Sequence, residues 1–456
     1  MIVFKKKLLL VSAAAILSSS NVLAMNVQEA LASAYEKNES MQAARQNFLI
    51  EIESFPEALG GFLPSISGEI SSTTTKQKYK SHLIPNAQSS ETDPAGTNRI
   101  SLTQNVFAGG RSMIGLRQAQ SGFWVSRTKL YNSEQEILTK ALEVYLDVAA
   151  SRAKYNIALD SLEFYQKNLR MLEEKLKLGE ATITEVASAK AHVARGLADK
   201  SKNYASLSSA KAQFKNMTSL EANDDMTFPT LPEDLPQNLA EFEEKVHRGN
   251  LNLISASHSL KQAQNGTKAS LAALLPRADL SIAAQKNYYK HQSRSQINSI
   301  STQTSMRVTI PIYTQGGADY TKIRKAKKAS RQAVHQLDQI KRDIESRMIA
   351  LWENYIAAKD SIDFVDKHVE YQKLALEGIR QEYEVGAKTM LDVLKTQEEY
   401  NKAKVGAVET KKSHILSAYG LKTLTGNMLA KDLKLKVKYF SPEKEFKNVK
   451  YKIFGF

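Results

Sequence analysis

Gly179-Glu180-Ala181-Thr182-Ile183-Thr184-Glu185-Val186 returns 207 residues later as Gly386-Ala387-Lys388-Thr389-Met390-Leu391-Asp392-Val393. The echo extends upstream. Phe62-Leu63-Pro64 corresponds to Leu274-Leu275-Pro276, and Val106-Phe107-Ala108-Gly109-Gly110 corresponds to Ile312-Tyr313-Thr314-Gln315-Gly316-Gly317 with one extra residue. A chain whose motifs recur at long offsets of 206 to 212 residues is built from two like units that cover each other. Between the units, Pro229-Thr230-Leu231-Pro232-Glu233-Asp234-Leu235-Pro236 reads as an extended linker. The organisation that follows is a first repeat over 25–228, a linker over 229–237, a second repeat over 238–427 and a basic C-terminal tail over 428–456.

Proline marks the elements on either side of the echo. All ten prolines lie outside two windows, 95–228 and 312–441. Windows so long and so rich in Ala, Leu, Lys, Glu and Gln permit continuous helix. In the second window Ile344, Met348, Leu351, Tyr355, Ala358, Ile362, Val365, Val369, Gln372, Leu376, Ile379 and Tyr383 step alternately by four and three, the seam of a coiled coil. Leu138, Leu142, Tyr145, Tyr155, Leu159, Leu162, Leu169, Leu172 and Leu176 do the same less strictly in the first. A helix from about 111 to 178 measures about 100 Å at about 1.5 Å per residue. One globular core cannot cover such a rod, so it packs along other helices.

The echoed octapeptides have a local meaning. Gly179 and Gly386 can end a long helix in the left-handed conformation. Thr182 with Glu185, and Thr389 with Asp392, have capping-box spacing and can start a return helix.

Each repeat also carries two segments of period two. Ile100, Leu102 and Val106 alternate with polar residues; so do Ala278, Leu280 and Ile282, and so do Met306, Val308, Ile310 and Ile312. The stretch from Ser65 to about Lys80, rich in Ile, Ser and Thr, is the fourth. Such strands suit soluble hairpins or a barrel with lipid outside and water inside. Export and the long coiled coils favour the barrel. Residues 1–24 read as a signal peptide, with Lys5, Lys6 and Lys7 ahead of an apolar Leu8 to Leu17 and Val22-Leu23-Ala24 at the cleavage site. No later stretch is long and apolar enough for a spanning helix, so entry into a membrane requires a closed barrel. Four strands are too few to enclose an aqueous lumen. A symmetric ring of three chains contributes twelve and aligns the long helices as a tube.

Composition narrows the chemistry. The formal charge of +15 becomes +12 once the signal's three lysines are removed, but the lysines are dispersed along helices, and no nucleic acid partner is expected. With no cysteine there is neither a disulfide nor a lipidated N-terminus. None of the eight histidines has zinc-ligand spacing; His192 and His368 read as helix-surface residues. The Gly-Gly pairs lack the remainder of any phosphate-binding fingerprint. No catalytic residue, metal or cofactor is expected, and the chain does not read as an enzyme.

The stretch Tyr383-Glu384-Val385-Gly386-Ala387-Lys388-Thr389-Met390-Leu391-Asp392-Val393-Leu394, with its echo at Gly179 to Val186 and the Gly-Gly pairs after the second and fourth strands, resembles the TolC family of outer-membrane efflux and secretion channels. The resemblance covers essentially residues 26–427. It implies an α+β membrane channel: a homotrimer with a twelve-stranded barrel in outer-membrane lipid and a coiled-coil tunnel in the periplasm. Such a channel is the exit duct of a tripartite efflux pump or type I secretion system, fed by an inner-membrane transporter and a periplasmic adaptor. By resemblance, Gly179 and Gly386 are adaptor-contacting tips, and Asp392 and Lys395 line the pore constriction. Tyr383 and Lys388, with Thr184 and Glu185, link the closed state. Lysine at 388 replaces an arginine and Lys395 an aspartate of the family pattern, so the constriction is not a double acidic ring. A pore-free periplasmic coiled-coil adaptor would explain export and helices, but neither the duplication nor the strand pairs. Connections near 84–96 and 291–300 are expected to face outward and to accept tags at Asn86, Thr97 and Ser295. Residues 431–456, lysine-rich and without heptads, are expected to be dispensable for conduction.

Overall fold

Each repeat opens on two helices that meet at an asparagine. The computed structural model describes residues 26–80, 88–289, 297–313, 315–453 and 455. In the first repeat α1 (Val27–Lys37) and α2 (Glu39–Ile52) join at Asn38, followed by α3 (Ser54–Gly60). Then come β1 (Ser65–Lys80), β2 (Gln88–Phe107), α4 (Arg111–Lys177) and α5 (Ile183–Thr218). The second repeat runs α6 (Leu239–Gly249), α7 (Leu251–Ala272), β3 (Arg277–Tyr289), β4 (Ile297–Thr309), a 3-10 turn, α8 (Ala318–Glu384) and α9 (Met390–Leu424). A short α10 (Pro442–Val449) follows. The expected signal peptide lies outside the described residues, and no described helix is long and apolar enough to cross a membrane.

The asparagines do the same work twice. Asn38 Oδ1 accepts from the N–H groups of Ser40 (3.0 Å) and Met41 (3.3 Å), while its Nδ2 donates to the Met217 carbonyl at 3.1 Å. Asn250 Oδ1 accepts from the Leu253 N–H (3.0 Å) and its Nδ2 donates to the Leu424 carbonyl at 2.9 Å. Each side chain caps one helix start and satisfies a carbonyl at the end of its repeat's return helix.

The two long helices, α4 and α8, have 67 residues each. Helix α4 packs along α5, α7 and α9, and α8 along α7 and α9. On the α8 seam Ile344, Met348, Tyr355 and Leu376 are buried, whereas Phe364 (70 % exposed), Tyr371 and Leu374 form a second apolar stripe left open. A main core joins Tyr35, Phe48, Leu142, Phe214 and Leu435, and a second joins Phe242, Trp352 and Leu421. The stretch read as a basic tail is packed: Met428, Ala430 and Leu435 are buried, and Phe440 and Phe446 lie against the main core.

The four strands form one antiparallel sheet in the order β1-β2-β3-β4. Cross-strand partners share a face. One face holds Ile66, Ile70, Ile100, Leu102, Ile282, Met306 and Val308. The other places Glu69 opposite Arg99, Asp279 opposite Arg307, and Ser67 in a 2.9 Å hydroxyl hydrogen bond with Ser101. Three sequence expectations need correction. The register shifts between Asn105 and Phe107, so Val106 falls in a bulge and not in the alternating set. Strand β4 stops at Thr309, short of Ile310 and Ile312, next to Pro311, which has no N–H to donate. Thr97 lies inside β2, paired with Ser71 and Asn287, because the strand begins at Gln88; Asn86 and Ser295 are outside the described residues.

Candidate functional site

Both long helices end in the same turn. At the first, the Gly179 N–H donates to the Leu176 carbonyl (3.1 Å) and the Glu180 N–H to the Lys175 carbonyl (2.9 Å), with Gly179 at φ +76°. At the second, the Gly386 N–H donates to Tyr383 (3.0 Å) and the Ala387 N–H to Glu382 (2.8 Å), with Gly386 at φ +79°. These nested bonds make a Schellman end, and glycine takes the left-handed position without a Cβ clash. The return helices start with complete capping boxes. Thr182 Oγ1 accepts from the Glu185 N–H (3.2 Å), and Glu185 Oε2 accepts from the Thr182 N–H (2.9 Å). Thr389 Oγ1 accepts from the Asp392 N–H (3.3 Å), and Asp392 Oδ2 accepts from the Thr389 N–H (3.0 Å) and hydroxyl (2.8 Å). The Thr389 hydroxyl, then its N–H, with Lys388 and Lys395 nearby, hold the Asp392 carboxyl below the ordinary range.

Beneath the turns Leu172, Val186, Ala189, Leu376, Met390, Val393 and Leu394 form a buried cluster drawn from all four helices. Each sequence-singled residue has a definite place around it. Tyr383 lies in the last turn of α8, Thr184 and Glu185 in the first turn of α5, and Asp392 and Lys395 at the start of α9. Lys388 is exposed in the second turn. Within one chain Tyr383 Oη accepts from Lys175 Nζ at 3.3 Å, and that ammonium stands 5.0 Å from the ring centre. Glu185 is held by Thr182, and Asp392 by Thr389.

Three ties between the repeats escaped the sequence reading: Lys175 to Tyr383, Arg380 above the Phe164 ring at 4.8 Å with its Nη2 donating to Gln397 (3.2 Å), and Arg195 paired with Glu398 at 2.8 Å. One had a signal. Counting back by 207 residues from Tyr383 reaches Leu176, the neighbour of Lys175.

Residues 244–427 match the family described as Outer membrane efflux protein. Across 99% of this chain and 98% of the relative, the sequence is 27% identical to the Outer membrane efflux protein BepC of Brucella suis biovar 1 (strain 1330). The chain thus resembles the TolC family of outer-membrane channels over nearly its whole length. It is 21% identical to the Outer membrane protein TolC of Escherichia coli (strain K12), over 73% of this chain and 70% of that one. Its fold matches the Campylobacter jejuni CmeC outer membrane channel with a TM-score of 0.75, covering 93% of this chain and 89% of that chain at 16% identity. The similarity places the chain in the outer membrane, with its long helices in the periplasm. One face of the sheet is apolar, and the other carries Glu69, Arg99, Asp279 and Arg307.

Proposed function

We propose that three copies of this chain close a twelve-stranded barrel and continue below it as a helical tunnel, the exit duct of a tripartite efflux pump or type I secretion system. The sheet carries this reading: among the described residues both of its edges, β1 and β4, are unpaired, while one face exposes isoleucines such as Ile70 at 84%. Lipid cannot satisfy an open edge, so each β1 must meet a neighbour's β4. The open stripe of Phe364, Tyr371 and Leu374 on α8 is what a neighbouring helix in such a ring would cover.

Substrate enters from an inner-membrane transporter through a periplasmic adaptor that meets the tips at Gly179 and Gly386. Asp392 and Lys395 form the constriction, a ring of mixed sign. Tyr383 and Lys388 hold the inner helix pair against Thr184 and Glu185 in the closed state. The capping boxes are compatible with this, because they engage Glu185 Oε2 and Asp392 Oδ2 only. An ionised carboxylate accepts at about four sites, which leaves capacity for Lys388 or for a cation in the lumen.

The absence of native cysteine makes the test clean. Single cysteines placed together on the β1 and β4 edges should give, on oxidation in intact outer membranes, a ladder that ends at three chains. A protein that stays monomeric, or that fractionates with soluble periplasm, would refute the duct.

A further inference from the structure

The chain that follows α9 turns back toward the barrel, and its contacts mark the climb. Glu443 pairs with Arg127 at 2.5 Å, Phe446 stacks on Phe123 at 4.2 Å and meets Phe55 edge-on at 5.1 Å, and Lys450 Nζ stands 5.5 Å from the Phe55 ring. Arg127 and Phe123 lie about 24 Å and about 18 Å below the start of α4 at about 1.5 Å per residue. Phe55 is higher. It precedes Gly61 by roughly two helical turns, about 9 Å, and the Gly61 carbonyl accepts from Ser112 Oγ at the very start of α4 (3.2 Å). Lys450 therefore sits about 10 Å below the strand–helix junction, and Lys452, whose N–H donates to the Val449 carbonyl at 2.9 Å, stays beside it.

That junction has the marks of a membrane interface. Phe107 (53% exposed), Ile312 (80%) and Tyr313 (72%) ring the base of the sheet, as aromatic and apolar residues do where a barrel leaves the lipid. Tyr451 and Ile453, next to Lys450 in the chain, are exposed in the same way. Helix α10 turns Phe446 and Val449 toward the main core, while Lys444 and Lys447 are exposed to solvent. Of its two acids, Glu443 is engaged by Arg127. The outward surface from Lys444 to Ile453 is thus basic and aromatic, with its apolar side already occupied by the protein.

We propose that this surface is an interfacial anchor, in which Lys450 and Lys452 bind anionic phospholipid headgroups of the periplasmic leaflet and Tyr451 and Ile453 enter the boundary beside them. The headgroup layer extends roughly 5–8 Å beyond the hydrocarbon, within reach of lysine stems rooted at this height. The proposal rests on the barrel lying in the membrane, so its test carries an internal control for that.

The full chain, as Ile453→Cys labelled with an environment-sensitive fluorophore, is placed in nanodiscs of phosphatidylcholine alone or with phosphatidylglycerol, with nitroxide lipids as quenchers. Ile70→Cys reports the barrel's lipid face, and Ala387→Cys reports the tip. The Ile453 label is expected to be blue-shifted and quenched with phosphatidylglycerol, weakly so in phosphatidylcholine, and water-like at either composition when Lys450 and Lys452 are both replaced by glutamine. The Ile70 label should be quenched throughout and the Ala387 label never. A water-like Ile453 label beside a quenched Ile70 label overturns the anchor alone, as does quenching indifferent to lipid charge. An unquenched Ile70 label overturns the barrel placement and the anchor together. Binding of the full chain to isolated peptidoglycan that the two glutamines abolish, with no effect of lipid charge, would assign the lysines to the cell wall and also overturn the proposal.

Discussion

Glu134 is a carboxyl kept from water, 5% exposed, with Oε1 accepting from the Ala430 N–H at 2.7 Å. Burial pushes its pKa up to about 7 from an ordinary 4.5, against the pull of the Ala430 N–H and Arg45 and with the help of Asp432. Because the folded value lies above the unfolded one, the folded chain holds a proton that the unfolded chain has released. The resulting stability is complete below about pH 4.5 and is lost as pH rises through about 7, up to about 3 kcal/mol. Glu134→Gln keeps the acceptor and removes the titration. Its melting temperature should be flatter than wild type between pH 5 and pH 8, with the variant the more stable at the alkaline end; parallel curves would rule this out.

The tip residues of the proposed closed state are tested through conductance instead. Exposed pairs of the Tyr383 and Lys388 kind are worth only about 0–1 kcal/mol each, but three copies on one constriction act together because packed helices move as units. Tyr383→Phe with Lys388→Ser is expected to raise single-channel conductance in planar bilayers without loss of trimer, and Glu185→Ala to do so more weakly. Asp392→Ala should change ion selectivity and block by multivalent cations. Wild-type conductance in the double variant would place the lock elsewhere.

At the scale of elements, two glycine positions make opposite predictions. A Cβ on Gly249 would lie 2.1 Å from the Thr425 carbonyl oxygen, where the end of α6 touches the end of α9, and that oxygen is backbone with nowhere to move. Gly386 has nothing within 4 Å of its Cβ position, so alanine there meets only the left-handed penalty of about 1–2 kcal/mol. Gly249→Ala should abolish accumulation of trimer in outer membranes, and Gly386→Ala should leave it near normal. Equal trimer levels in the two would show that the α6–α9 crossing is not required. The tip turn was legible in sequence because Gly179 and Gly386 stand a fixed short distance from their Thr-x-x-acid partners. The Gly249 crossing was not, since its partner is Thr425, far along the chain.

For the whole molecule, the segment after α9 packs back onto the first repeat, against Tyr35, Phe48 and Phe123. Deleting 431–456 would strip Phe48 and Phe123 of the Phe440 and Phe446 rings, leave Tyr35 Oη without the Phe440 N–H, and remove buried Leu435. The loss of Leu435 alone is comparable to a large-to-small core change, about 2–5 kcal/mol per protomer. The truncated trimer should dissociate at a lower temperature in heat-modifiability gels. Unchanged dissociation would return the segment to the dispensable tail that its composition suggests.

What the sequence determined by itself was periodic or local. Heptads from Ile344 to Tyr383, proline-free windows, period-two strands and capping boxes are each set by residues within a turn or two of one another, so one chain read in order displays them. The duplication, carried by the same short motifs, was equally plain. The tertiary structure decided where distant stretches meet: Lys175 on Tyr383, Asn38 on Met217, Glu134 on Ala430, and the climb of Lys450 to Phe55. It also decided where β2 begins and β4 ends. These depend on how rods of 67 residues lie against one another and on which strand supplies a partner, and neither is encoded in the spacing of neighbours along the chain.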